Sequence, residues 1–424
     1  MNILDSFNID GKISSLAEES VAECADSFLR IDKISEYNQL KVLSAFTKHG
    51  VAESHFSGST GYGYGDSGRD LLEKVFADCV GSEDSLIRHT FTCGTHTLAV
   101  ALFGILRPGD VMLCVSGTPY DTIHSVIGLS GENMGSLKDF GIRYRQVDLD
   151  RDGHIDFENV EKTLKSCKVK MVYIQRSRGY SVRDSLSVET IGKIVKTVRD
   201  NSDAIVMVDN CYGEFVETTE PVSVGADLIA DSLIKNPGGG IARTGGYIAG
   251  KKELVELCSY RMTTPGLGRE VGSSLGESRN MYMGLFHAPH VVGESLKTAV
   301  FAAKLFSKLG FEVSPSADDK RHDIIQTIKL KNESNLIAFC QGLQKGAPID
   351  STAVPEPWDM PGYDSKVIMS AGAFTNGSSI ELSADAPLRE PFAVWMQGGL
   401  NFHSGKLGIM LAAQEMKNRG LLDI

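Results

Sequence analysis

Two neighbouring stretches, AIVMVDNCYGEF at 204–215 and ADLIADSLIKNPGGG at 226–240, indicate the fold of this chain. Each begins with a continuous apolar run of about the length of a strand and then turns polar. Continuous rather than alternating hydrophobicity is typical of strands covered on both faces, as in a parallel sheet. The two runs therefore predict buried strands, with Asp209 at the carboxyl end of the first and Lys235 on a turn after the second.

Similar apolar runs alternate with helical patterns on both sides of these stretches. Strands are predicted at 111–116, 142–147, 170–175, 204–209 and 226–231, and helices at 14–49, 71–80, 95–106 and 187–199. This alternation is typical of βαβ units and a mainly parallel sheet flanked by helices. From about residue 290 the order changes, and we predict helices at 291–309, 334–345 and 404–419 and strands at 323–330, over VIMSAG and over SIELS.

The predicted fold class is α/β. A chain of 424 residues is too long for one ordinary core, and a cleft between two packed units commonly holds a cofactor. We expect an N-terminal helical segment at 1–56, a large α/β domain with the parallel sheet at 57–290, and a smaller α+β domain at 291–424.

Composition and charge restrict the class of protein. Hydrophobic residues make up 42% and charged residues 23% of the chain, which is typical of a globular protein. The net charge of −11 argues against a nucleic-acid partner, because phosphates require clustered Lys and Arg, and it favours a small polar substrate. The eight cysteines form no C-x-x-C pair, and neither a signal-peptide pattern nor a membrane-spanning apolar run occurs. We therefore expect a cytoplasmic chain with reduced cysteines and no membrane partner.

Three glycines in the Gly/Ser/Tyr-rich loop at 57–70, Gly63, Gly65 and Gly68, spell the dinucleotide-binding pattern G-x-G-x-x-G. That pattern requires a strand directly before it, and the preceding sequence HFSGSTGY does not resemble a strand. We therefore interpret the segment as a flexible or substrate-contacting loop.

Three histidines are candidates for other chemistry. His287 and His290 suggest a metal pair, but Pro289 between them is predicted to break the helix that would put both rings on one face, so we expect no metal site. His96 stands at the start of a predicted helix, where a histidine is either catalytic or structural.

Two segments at predicted strand ends suit a phosphate and a planar ring. Gly94 comes directly before a predicted helix, and Thr95 is the first residue of that helix. Their backbone N–H groups therefore either form a phosphate cradle or belong to a plain helix cap. Tyr120 follows the strand at 111–116 and a turn, where an exposed aromatic ring can lie against a planar ligand.

Asp209, Ser232 and Lys235 complete this set. A buried carboxylate needs a partner, and a protonated pyridine nitrogen would serve Asp209. Desolvation of the Lys235 ammonium is predicted to lower its pKa and make the amine nucleophilic, and Ser232 can reach the same phosphate as the helix terminus. Pyridoxal 5′-phosphate (PLP) has a phosphate, a ring face, a ring nitrogen and an aldehyde. These four parts match, in the same order, the helix terminus, the aromatic ring, the carboxylate and the lysine.

The sequence resembles the fold-type-I PLP-dependent enzymes of Cys/Met metabolism, and more closely the methionine γ-lyase-like family, also called aluminium resistance proteins. The motifs that carry the resemblance span residues 62–400 and are YGYGDSGRDLLE, CGTHTLAVALFGILRPGD, GTPYDT, VDNCYGEF, DSLIKNPGGGIARTGGYIAG and APLREPFAVWMQGGL.

The resemblance implies a role for each candidate. Lys235 would hold the cofactor as a Schiff base, Asp209 would pair with the pyridinium nitrogen, and Tyr120 would stack on the ring. Gly94, Thr95 and Ser232 would hold the phosphate. Arg389 would bind the substrate α-carboxylate as a bidentate partner, the alternative being a surface arginine in an ion pair.

The chain departs from the better-known cystathionine lyases at two places. Those enzymes usually have a threonine directly before the Schiff-base lysine, where this chain has Ile234. They also use a Tyr-x-Arg segment of a neighbouring subunit on the phosphate, whereas here the loop contains Tyr62 and Tyr64, with Arg69 further on. Either tyrosine is a candidate for that role.

The same loop leads to an expectation about assembly. Its glycines suggest that it is too flexible to hold the tyrosines by itself, and the resemblance implies that it reaches into a neighbouring subunit. We therefore expect a homo-oligomer with composite active sites, either a dimer or a homotetramer built as a dimer of dimers.

The function implied by the resemblance is that of a carbon–sulfur lyase, similar to methionine γ-lyase or cystathionine β-lyase. Such an enzyme acts on a sulfur-containing amino acid by β- or γ-elimination and releases ammonia and a 2-oxo acid. The alternatives are another PLP-dependent reaction, such as transamination or retro-aldol cleavage, and a non-catalytic protein that binds PLP or an amino acid.

Overall fold

The computed structural model describes residues 3–181, 183–359 and 365–424. The chain divides into two compact units, a central unit of Tyr37–Pro289 and a terminal unit of Met1–Glu36 with His290–Ile424. The helices are α1 (Gly11–Glu23), α2 (Ala25–Lys48), α3 (Ser67–Val80), α4 (Gly94–Ile105), α5 (Asp121–Ile127), α6 (Phe157–Ser166), α7 (Val188–Asn201), α8 (Lys252–Met262), α9 (Ser278–Lys308), α10 (Glu333–Lys345) and α11 (Phe402–Asn418). The strands are β1 (Asp84–Arg88), β2 (Val111–Cys114), β3 (Arg143–Gln146), β4 (Met171–Gln175), β5 (Ile205–Asp209), β6 (Leu228–Ser232), β7 (Gly246–Gly250), β8 (Glu312–Ser314), β9 (Gln326–Lys329), β10 (Val367–Ser370), β11 (Ser383–Pro387) and β12 (Ala393–Gln397).

A mainly parallel sheet forms the centre of the central unit. Its seven strands among the described residues have the order β1-β7-β6-β5-β4-β2-β3. Strands β3, β2, β4, β5 and β6 pair in parallel, and β7 runs antiparallel to both β6 and β1. Strands β2, β4 and β6 are buried along their whole length, which explains their continuous apolar sequences. The predicted α/β fold class is confirmed.

The order of the strands positions the candidate residues. Asp209 is the last residue of β5 and pairs with Gln175, the last residue of β4. Ser232 is the last residue of β6, the next strand in the sheet. Because parallel strands share one direction, these residues lie along one edge of the sheet, where open α/β folds bind ligands.

An antiparallel sheet forms the centre of the terminal unit. Among the described residues of this unit its five strands have the order β10-β11-β12-β9-β8, and every neighbouring pair is antiparallel. Apolar side chains of α10 and α11, including Phe339, Leu343 and Met410, belong to the same hydrophobic core as those of the sheet. Ile13 and Ala17 of α1 also belong to that core.

The prediction that Pro289 breaks a helix is wrong. Helix α9 continues from Ser278 to Lys308 with Pro289 in its interior. A proline removes one hydrogen bond of the helix, but Leu285 and Val292, on either side of it, are fully buried, and burial of an apolar face stabilises a helix more than one bond does. His287 and His290 therefore lie three residues apart on a continuous helix.

The strand predicted over SIELS at 379–383 is also displaced, because β11 begins only at Ser383. The carboxylate of Glu381 accepts hydrogen bonds from the backbone N–H groups of Phe374 and Thr375, at 2.8 and 2.9 Å. These bonds fix a turn where apolar alternation suggests a strand. The local side-chain acceptor therefore overrides the pattern.

Across the described part of the chain, no helix is both long enough and apolar enough to cross a bilayer.

Candidate active site

Lys235 lies on a short turn directly after β6. A 3-10 helix at Asn236–Gly238 follows it, and the side-chain amide of Asn236 donates to the carbonyl of Glu214 at 2.9 Å, which fixes the turn. The side chain is 15% exposed. Its Nζ lies 3.6 Å from Oδ1 of Asp231 and 4.5 Å from the centroid of the Tyr212 ring. The amine is therefore held in a mostly buried site between a carboxylate and an aromatic face.

The charge balance around Lys235 differs from the prediction. Burial on its own lowers the pKa of this amine, but the acidic groups around it, among them the Asp231 carboxylate, raise the pKa well above its ordinary value. The predicted lowered pKa is therefore wrong. Desolvation alone predicts a lowered pKa, but the combined electrostatic effect of the neighbouring acidic groups is larger.

Asp209 is held by two donors at the end of β5. The hydroxyl of Tyr173 on β4 donates to Oδ2 at 3.0 Å, and the backbone N–H of Cys211 donates to Oδ1 at 3.1 Å. Burial and the neighbouring Asp209 raise the pKa of Tyr173 well above its ordinary value, so the phenol keeps its proton and remains a donor. The carboxylate is therefore oriented as an acceptor, as a partner of a cationic ring nitrogen must be.

A second carboxylate, Asp231, lies beside Lys235, and the sequence reasoning missed it. Asp231 is fully buried, and its Oδ1 accepts a hydrogen bond from the thiol of Cys211 at 2.6 Å. Its Oδ2 has no hydrogen-bond partner within the described residues. A charged residue inside the apolar run ADLIAD, four residues before a lysine, is the signal that predicts such a pair.

The amino end of α4 lies against Lys235. The first bond within the helix runs from the N–H of Thr97 to the carbonyl of Cys93, so the N–H groups of Gly94 and Thr95 have no acceptor inside the helix. A Cβ added at Gly94 would lie 3.5 Å from Cβ of Ser232 and 3.7 Å from Nζ of Lys235. The structure thus brings the predicted phosphate groups and the lysine together at the positive end of a helix.

Tyr120 lies close to this helix end. It precedes α5, and the hydroxyl of Thr122 in the first turn of α5 lies 2.7 Å from that of Thr95. The Tyr120 ring is half-buried, and its centroid is 5.7 Å from that of Tyr180 at an angle of 50°. A Cβ added at Gly179 would lie only 3.2 Å from the Tyr120 ring, so this glycine allows the 176–181 segment to pass close to it.

The loop that carries Tyr62 and Tyr64 is ordered within its own unit. The guanidinium of Arg69, which is 2% exposed, donates to the carbonyls of Gly63 and Gly272, both at 2.9 Å. The N–H of Gly272 in turn donates to the carbonyl of Tyr62 at 2.9 Å. The expectation that the loop is too flexible to hold its tyrosines is therefore wrong.

The two tyrosine rings themselves point into solvent. They stack on each other with centroids 5.6 Å apart, and Tyr62 is 72% and Tyr64 62% exposed. The Arg69 side chain is itself buried in holding the loop. Both tyrosine rings are therefore largely uncovered by the described residues of this unit.

Two candidates remain. Arg389 belongs to the terminal unit, where it occupies an exposed turn between β11 and β12. His96, in the first turn of α4, accepts from the backbone N–H of Thr92 at 3.1 Å, and burial lowers its pKa. This local bond is typical of a structural histidine.

The described residues also contain one group of side chains with metal-ligand spacing. Asp150, Asp152 and His154 lie close together on the turn after β3, and all three are exposed. Acidic side chains on an exposed turn are ordinarily solvated, so this group adds nothing to the site at Lys235.

A lysine after a buried parallel strand, a carboxylate at the end of the neighbouring strand and a helix amino terminus beside the lysine define the class of fold-type-I PLP-dependent enzymes. The family model for methionine gamma-lyase matches residues 13–417, and the chain belongs to that family.

Two similar proteins cover nearly the whole chain. A crystal structure of a carbon-sulfur lyase involved in aluminum resistance from Clostridium novyi NT is 52% identical, with a TM-score of 0.94 over 97% of this chain and 98% of that one. The uncharacterized protein YnbB of Bacillus subtilis (strain 168) is 49% identical over 412 residues, which is 97% of this chain and 98% of YnbB. L-methionine gamma-lyase of Pseudomonas putida is more distant, at 26% identity over 210 residues, 49% of this chain and 45% of that enzyme.

The family and the fold imply pyridoxal 5′-phosphate as the cofactor of this chain. The residues present fit it. The missing Cβ at Gly94 leaves the helix end open towards Lys235 and Ser232, and Asp209 is an oriented acceptor. The Oδ2 of Asp231 is buried and has no hydrogen-bond partner among the described side chains. The site can therefore still accept a hydrogen bond from a bound group.

Proposed function

We propose that this chain is a PLP-dependent carbon–sulfur lyase that acts on a sulfur-containing amino acid by β- or γ-elimination. The observation that carries the proposal is the convergence of Lys235, Ser232 and Gly94 at the sheet edge, in a chain of the methionine gamma-lyase family. The similarity to a carbon-sulfur lyase from Clostridium novyi supports it. The products would be ammonia, a 2-oxo acid and the released sulfur compound.

In this proposal each residue has one task. PLP, when bound, supplies an electron sink for the charge that develops at the substrate Cα. The amine of Lys235 would take the Cα proton, and Asp209, oriented by Tyr173, would keep a proton on the ring nitrogen. Tyr120 would cover one face of the ring.

Binding is assigned to a second group of residues. The N–H groups of Gly94 and Thr95 at the positive end of α4 would hold the phosphate. The hydroxyl of Ser232, which donates to the carbonyl of Gly245 at 3.2 Å, would rotate to join them. The guanidinium of Arg389 would bind the substrate α-carboxylate.

The proposal is tested by product analysis. Purified protein is incubated with cysteine, cystathionine, methionine and homocysteine, and ammonia and 2-oxo acid are measured. A lyase releases both without any added amino acceptor, whereas an aminotransferase releases no ammonia and requires a second 2-oxo acid. Absence of ammonia with all four substrates, in protein that contains the cofactor, would contradict the proposal.

We also propose that the chain forms a homo-oligomer in which Tyr62 and Tyr64 complete the active site of a neighbouring subunit. Both rings are exposed on a loop that Arg69 holds in place. A double Tyr62→Phe/Tyr64→Phe chain and a Lys235→Ala chain should each be poorly active, because each lacks one half of the site. Mixed oligomers should recover activity. In randomly mixed dimers about half of the molecules are hybrids, and each hybrid has one intact site of two, so about a quarter of the wild-type activity is expected.

Tyr37→Phe is the matched control for this experiment, because Tyr37 is also largely exposed but lies on α2. It should keep full activity. If the double tyrosine variant also keeps full activity, the loop has no role in the site. If purified mixed oligomers show no recovery, the loop acts in its own subunit.

A further inference from the structure

Asp231 is a buried carboxylate to which the proposed reaction assigns no task. It lies on β6 directly before Ser232 and is fully buried. One of its oxygens faces two groups, Nζ of Lys235 at 3.6 Å and Sγ of Cys211 at 2.6 Å. The other oxygen has no partner among the described side chains. Such a group is costly to bury, so a positive charge beside it stabilises it strongly.

Within the described part of the chain, the surroundings of Asp231 contain a cation, Lys235, and several acidic groups. The titratable groups that act on Asp231 or Lys235 from the neighbouring elements are Asp209, Cys211, Tyr212, Glu214 and Tyr247. None of these five groups can carry a positive charge, so Lys235 is the cation that acts on Asp231 among the described residues. Burial raises the pKa of Asp231 above its ordinary value, and the Lys235 ammonium opposes that rise. Each member of the pair thus favours the charged form of the other.

Asp209 and Asp231 have different contacts, although both are buried carboxylates. Asp209 accepts bonds from Tyr173 and from the backbone at Cys211, so each of its oxygens already has a donor. Asp231 makes the direct contact with the amine. Asp209 is therefore left as the carboxylate for the ring nitrogen, whereas Asp231 is the carboxylate that pairs with the lysine.

We propose that Asp231 is a positioning residue that holds the Lys235 amine at the amino end of α4 and makes it a stronger base. The part of this inference that concerns the reaction rests on the proposed function. A lysine freed from the cofactor must accept the Cα proton as a neutral amine, and the adjacent carboxylate stabilises the ammonium that results. Cys211 donates to the same carboxylate and keeps it in place.

The basicity of Lys235 can be measured without turnover. The cofactor is removed from the full-length chain, the protein is acetylated with a trace of labelled acetic anhydride between pH 7 and 12, and the peptide containing Lys235 is quantified by mass spectrometry. In the wild type we expect Lys235 to titrate above the value of about 10.4 for a free lysine side chain. In Asp231→Asn the titration should move down by at least about one pH unit.

The same digests contain the controls. Lys193 on α7 is 62% exposed and should react equally in every variant. Asp231→Glu keeps the charge and should recover much of the shift, which a purely structural role would not predict. If Lys235 of the wild type titrates at or below the ordinary value, or if Asp231→Asn is less stable but leaves the titration unchanged, the proposal is overturned.

A second readout uses the protein with its cofactor. The visible absorbance of PLP bound at Lys235 changes with protonation, and in Asp231→Asn the transition should occur at least about one pH unit lower than in the wild type. An unchanged transition contradicts the proposal. Both pH titrations can be measured even if the lyase assay fails. Failure of the proposed function is therefore distinguishable from failure of the proposed role of Asp231.

Discussion

Replacing Lys235 by alanine is expected to abolish both turnover and covalent attachment of the cofactor. The amine is the group that lies beside the helix terminus and Ser232, and alanine offers no nucleophile there. Wild-type protein should be yellow, and reduction with borohydride should fix the cofactor to the peptide that contains Lys235. The measurements are the visible spectrum and peptide mass mapping before and after reduction.

Two variants distinguish the chemistry of Lys235 from its charge. Lys235→Arg keeps a cation opposite Asp231, so it should fold as the wild type does, yet it should be inactive and unlabelled. Lys41→Ala, which removes a lysine of α2 whose pKa burial also lowers, should stay yellow and active. Labelling of any other lysine in wild-type protein would refute the assignment of Lys235.

Replacing Asp209 by asparagine is expected to lower kcat by at least about 100-fold while the cofactor stays bound. A neutral amide cannot stabilise a proton on the ring nitrogen, whereas the lysine and the helix terminus that attach the cofactor remain. The amide oxygen can still accept from the N–H of Cys211, and the Tyr173 hydroxyl can rotate. Turnover and PLP content should be measured on the same preparations.

Asp110→Asn is the matched control, because Asp110 stands on the turn before β2, at the amino ends of the parallel strands. Its carboxylate caps that turn by accepting from the N–H of Arg107 at 2.8 Å. This variant should lose some stability and keep its specific activity. Near-normal turnover of Asp209→Asn would exclude the proposed role of that carboxylate.

The position of Asp209 and Lys235 along the chain was predictable from sequence because it depends on local patterns. Each follows a buried apolar run, and parallel strands bring such ends to one edge of the sheet. The confirmed fold class depends on the same patterns.

The contacts of the site were not predictable in the same way. Tyr173 is one apolar-looking residue in the middle of β4, and only the register of β4 with β5 brings its hydroxyl to Asp209. The thiol of Cys211, which follows β5, reaches Asp231 on the neighbouring strand β6. The raised pKa of Lys235 depends on Asp231, four residues earlier in the chain, and on Asp209 of the neighbouring strand, so desolvation alone predicts the wrong direction.

Two further predictions failed for different reasons. Pro289 is tolerated because α9 is buried on both sides of it, so tertiary packing overrides the local signal. The carboxylate of Glu381 turns an apparent strand into a loop through local bonds to the backbone at Phe374 and Thr375.

The buried guanidinium of Arg69 has a further consequence. It fixes the backbone around Gly63 before any other surface meets the exposed tyrosine pair. Fixing the backbone of one residue costs about 1–2 kcal/mol of conformational entropy. Here the chain loses that entropy when it folds, not when a partner binds. A partner that docks on these rings therefore meets a preorganised surface, so more of its contact energy appears as affinity.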